Sequence, residues 1–114
     1  MNNEILEMLS NKNTDELFFL IGRDLSRHDK TLGKLSNKGL IEKSKVWFEL
    51  NKANFANKIC NNKSIIKLYE SEDTLTLITT IGDLIAALVI NVPPFNVAYL
   101  IYRLGIKNLC QIDE

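Results

Sequence analysis

The chain has 114 residues, 46% of them apolar, and its 14 Lys and Arg balance 14 Asp and Glu. That length admits one domain with a real core, and seven Gly and Pro in all exclude collagen-like and Pro/Gly-rich disordered chains. Zero net charge argues against a polyanion binder that works by bulk charge, and one His with two Cys leaves little material for a metal site or a thiol framework.

The N-terminus, MNNEILEMLS, lacks a basic leader, and Glu4 and Glu7 interrupt its apolar pattern, so it does not read as a secretory signal. The expected compartment is a reducing cytosol, with Cys60 and Cys110 as buried thiols among apolar neighbours and a disulfide or redox pair as the less favoured alternative. Thirteen Asn, thirteen Ile and eleven Lys against three Arg match A+T-rich codon usage and suggest a bacterium or its phage.

The first helix is expected from about Asn3 to Leu9, with Ile5, Leu6 and Leu9 at helical spacing. After a polar break, Asn13 and Glu16 stand three apart, as in a capping box. The helix they open carries Leu17, Phe18, Leu20, Ile21 and Leu25 toward the core, with Phe19 widening the apolar face. From Arg27 to Gly39 a short basic helix is expected, stopped at Gly39 in a left-handed conformation. From Leu40 a longer helix follows, with Ile41, Val46, Trp47, Leu50, Phe55 and Ile59 near one face and an end at Asn61-Asn62. Residues 64–69 fit either a strand or a helical turn.

Ser71-Glu72-Asp73 makes an acidic helix start, and Leu77, Ile78, Ile81, Leu84, Ile85, Leu88 and Val89 then keep a three-four spacing. Pro93-Pro94 breaks that helix, Pro94 suits the first turn of the next, and Gly105 closes it. A short segment from Ile106 to Cys110 ends the pattern. Leu84 to Tyr102 carries no formal charge over 19 residues, long enough to span a bilayer. The two prolines, Asn91 and Asn96 at its middle and Asp83 at its edge favour a buried αα-hairpin instead. The expected fold is therefore an all-α, compact single-domain bundle of five to seven helices, with the C-terminal hairpin turning at Pro93-Pro94.

No catalytic set converges. His28 sits in the polar run Arg27-His28-Asp29-Lys30, and the segment Gly33 to Gly39 has the wrong spacing for a phosphate loop. The acidic sets Asp15/Glu16 and Glu70/Glu72/Asp73 fall at expected helix starts, where they complement the dipole. Asp83 reads as a solvated acid or as a partner for a cation such as Arg103. No cofactor or metal is expected, and an enzyme is the least favoured class.

Charge is unevenly placed: residues 27–67 carry +7, residues 1–26 carry −3 and residues 68–114 carry −4. Lys30, Lys34 and Lys38 stand four apart and would stack on one helix side, with Lys45 extending the basic character. Phe95, Tyr99 and Tyr102 share one side of the last long helix, as core or as an aromatic ridge for a partner. These seven residues are the expected partner contacts. The expected role is a non-enzymatic interaction module that acts in assembly or control of a larger complex, for example in a toxin–antitoxin or anti-phage system, binding another protein or itself. The rivals are a nucleic-acid-binding domain using residues 27–67 and a membrane-active, holin-like or pore-forming protein using residues 75–104.

Overall fold

A computed structural model describes residues 3–27, 35–71 and 73–110. Among these the chain forms seven helices: α1 (Asn3–Ser10), α2 (Thr14–Arg27), α3 (Asn37–Ile59), α4 (Lys63–Ser71), α5 (Thr74–Ile85), α6 (Pro94–Leu104) and α7 (Ile106–Cys110). This is the all-α bundle that the periodicity predicts.

Local chemistry sets most of the boundaries. At the start of α2 the box is reciprocal: Glu16 N donates to Asn13 Oδ1 at 2.8 Å, and Asn13 N donates to Glu16 Oε1 at 3.0 Å. Asp73 caps α5 by accepting from Thr76 N at 3.3 Å. Pro93 takes the extended conformation imposed on a residue before proline, and Pro94 opens α6. Gly105 ends α6 at φ 105°, a conformation costly for a residue with a Cβ.

Two expectations need correction, and one open choice is settled. Gly39 does not end a short helix; it is the third residue of α3, and its N–H donates to the capping Ser36 Oγ at 3.1 Å. A Ser three residues before a Gly competes with the glycine stop, and here the cap prevails. Residues 64–69 are helical, because Asn62 Oδ1 accepts from Ser64 N at 2.9 Å and so caps α4. α5 ends at Ile85, well before Pro93, in turns closed by Leu88 N and Val89 N on the Ile85 carbonyl. The chain then runs irregularly to α6, with Val89 and Val92 buried and Asn91 left-handed at φ 71°. Asn tolerates that conformation because its short amide can hydrogen-bond locally.

The core is one cluster with α6 at its centre. Phe95, Val97, Ala98, Tyr99, Leu100 and Ile101 are all buried, so α6 is covered nearly all round. It packs against α1, α2, α5 and α7, and α3 packs against α2, α5 and α7. α5 and α6 form the expected hairpin, 12 and 11 residues long. No described helix is long and apolar enough to cross a membrane.

α3 is where the periodicity misleads most. Its inward line is Ile41, Ser44, Phe48, Phe55 and Ile59, while Val46 is 58% exposed and Leu50 77% exposed. Both sides of the helix carry apolar residues, so spacing alone does not choose between them. Packing of Phe48 edge-on to Phe18, with ring centroids 6.1 Å apart, fixes the orientation.

Candidate docking surface

The expected partner residues scatter. Lys30 and Lys34, with His28, lie outside the described residues. Lys38 is exposed in the first turn of α3. Lys45 is engaged within the fold, 3.3 Å from Asp15 Oδ1 and over the Phe18 ring at 5.7 Å. The aromatic ridge is not presented: Phe95 and Tyr99 are buried, and Tyr102 is half-buried against Tyr99 with ring centroids 5.8 Å apart. Their side of α6 faces the bundle because α6 is its central helix. Asp83 is exposed, and Arg103 turns elsewhere. The Arg103 guanidinium donates to the Lys12 carbonyl at 2.7 Å, the Ser10 carbonyl at 3.3 Å and the Tyr99 hydroxyl at 2.9 Å. It thereby satisfies the Ser10 carbonyl at the end of α1, which has no partner within that helix, and the Lys12 carbonyl in the turn that follows.

The aromatics interleaved with the lysines of the basic stretch are also taken up by packing. Trp47 and Phe55 meet at 5.9 Å, Phe48 and Phe55 at 5.7 Å, and both phenylalanines are buried. Among the described residues no group of three or more His, Cys, Asp or Glu is placed to hold a metal ion.

The two cysteines depart furthest from expectation. Cys60, the C-cap of α3, and Cys110, the last residue of α7, form a disulfide across a Cα separation of 5.5 Å. They are half-buried rather than buried thiols. The fold brings them together because Leu109 and Ile106 seat α7 in the core beside the end of α3. The bond spans 50 residues of sequence, and closing a loop of that length lowers the entropy of the unfolded chain by an amount worth about 4 kcal/mol. Such a bond persists in oxidising surroundings, or in the cytosol as one that is made and broken.

On one side of the disulfide lies an apolar cleft of about 270 Å³ between α4 and α7. Ile59, Ile65 and Ile106 form its apolar walls with the two sulfurs, and Ile66, Tyr69, Glu70 and Lys107 complete its lining. Ile66 is 44% exposed and Tyr69 40% exposed, three residues apart on α4 and so on one side of it. On the other side of the disulfide a wider, more open depression of about 580 Å³ is lined by Glu49, Lys52, Ala53, Asn57 and Leu109. The α4 cleft escapes a sequence reading because its residues come from three separate helices. The one available signal was the pair Ile66 and Tyr69 in a segment whose secondary structure was ambiguous. Comparison of the chain with protein-family models, with curated proteins and with solved structures finds no match.

Proposed function

We propose that the protein is a non-enzymatic interaction module that binds another protein through the cleft between α4 and α7, and so serves assembly or control of a larger complex. The observation that supports this reading is the pairing of a partly exposed Ile66 and Tyr69 with an apolar cleft large enough for one bulky side chain. An aromatic residue with a hydroxyl at the edge of an apolar cleft is the composition that concentrates binding energy at interfaces. A photo-crosslinking residue placed at position 66 is expected to trap a discrete partner in the native host, and one at the exposed position 83 to trap none. Equal labelling from both positions, or none from position 66, would overturn the assignment.

A second reading, self-association, draws on α3. Val46 and Leu50 lie one turn apart on its outer side and are the largest apolar groups exposed there. Sedimentation of the wild type against Leu50→Lys tests it: a concentration-dependent dimer lost in the variant supports self-association, and a monomer throughout removes it.

A further inference from the structure

The Cys60–Cys110 bond is unusual in what surrounds it. Both sulfur-bearing residues are half-buried, and both line the α4 cleft and the wider depression, so the bond lies beside two hollows that reach the surface. A structural disulfide sealed inside a core offers no such approach. The element it holds is also slight. α7 has five residues, too few to persist as a helix without tertiary support. It joins α6 through Gly105, whose φ of 105° breaks the helical path. Two buried side chains, Ile106 and Leu109, seat it in the core. Beneath them lie Ile59, Phe48 and Ile101, which line the adjoining hollows together with α7.

We propose that Cys60–Cys110 is a thiol–disulfide exchange site for a dithiol reductant, and that its reduction releases α7 from α3 and opens the α4 cleft. One thiolate of the dithiol attacks either sulfur; the S–S bond breaks as a mixed disulfide forms, and the other cysteine leaves as a thiolate that takes a proton from water. The second thiol of the reductant then attacks the mixed disulfide. Both cysteines end as thiols and the reductant as its own disulfide, a balanced two-electron exchange. The α2–α3, α2–α6 and α5–α6 contacts of the bundle do not run through α7. Release of α7 exposes Ile106 and Leu109 along with the apolar floor they cover. This inference stands whether or not the cleft binds a protein.

The test uses the full chain in its oxidised form, with dithiothreitol as the dithiol probe. Amide hydrogen exchange is followed by mass spectrometry, and complete reduction is verified by counting two free thiols. Exchange across residues 106–110 is expected to quicken at least tenfold on reduction, while α5 and α6 stay folded, their protection lowered by no more than loss of the loop constraint accounts for, and Trp47 emission stays unmoved. The Cys60→Ser/Cys110→Ser double variant should show the fast α7 exchange with no reductant, which separates loss of the bond from any side effect of the reagent. Unchanged α7 exchange after full reduction would overturn the proposal, because the bond would then hold nothing. Exchange in α5 and α6 as fast as in α7 would overturn it too, by making the bond a staple of the whole fold. So would a bond that the folded protein keeps against excess dithiothreitol.

Discussion

The α2–α3 crossing and the α5–α6 hairpin both place a glycine in mid-helix against a neighbouring helix, and the two glycines do opposite things. At Gly22 an added Cβ would collide with the Leu40 carbonyl, whose carbon lies 2.8 Å away and whose Cα lies 3.2 Å away. Those are backbone atoms, so no side chain can swing aside. At Gly82 the nearest atoms, in Pro94, Phe95 and Ala98, stand at 3.7 to 3.8 Å, which is ordinary contact distance. The first glycine is required by close approach of two backbones; the second leaves room for a methyl group. The same residue type in the same helical context therefore carries no fixed meaning until the partner helix is placed.

The comparison breaks most visibly at Gly22. Gly22→Ala is expected to destabilise the protein by about 3 kcal/mol, read from the shift in a urea unfolding midpoint, because overpacking against backbone has no local relief. A loss under about 1 kcal/mol would mean that α2 and α3 can part at little cost. Next in size is Arg103→Ala, which strips the carbonyls of Ser10 and Lys12 of a charged donor. A loss of about 2 kcal/mol is expected, together with faster amide exchange confined to α1 and the start of α2. Gly82→Ala should move the other way, raising stability by about 0.5–1 kcal/mol, since it removes helix-opposing chain entropy without a clash. Destabilisation there would show that the hairpin is packed as tightly as the α2–α3 crossing. The smallest effect belongs to Asp15→Asn. Its link to Lys45 is largely solvent-exposed, so the midpoint should shift by less than about 0.5 kcal/mol, and less still in high salt.

The helix starts were legible because their chemistry is local. Asn13 with Glu16, Asp73, Pro94 and Gly105 each act within three or four residues of themselves, and each does what its position implies. The orientation of α3 was not legible, since Val46 and Leu50 compete with Phe48 and Ser44 for the inward side and only Phe18 on another helix decides. Gly39 misled for a related reason: a glycine after a polar stretch reads as a stop unless the Ser36 cap is weighed against it. The candidate docking surface was the least legible. Its disulfide joins residues 50 apart, and nothing local to Cys60 or Cys110 names the other. Phe95 and Tyr99 looked available only because a sequence does not show that their side of α6 is covered by other helices.

The grip of Arg103 on the Ser10 and Lys12 carbonyls reaches across 93 and 91 residues of chain. On a ribosome those oxygens are made well before their clasp. At about 5 to 20 residues per second, the first helix waits roughly 5 to 18 s before the guanidinium that fastens it has been added. During that interval the nascent segment has only water for company at its end, and it is there that a chaperone or a protease would find it.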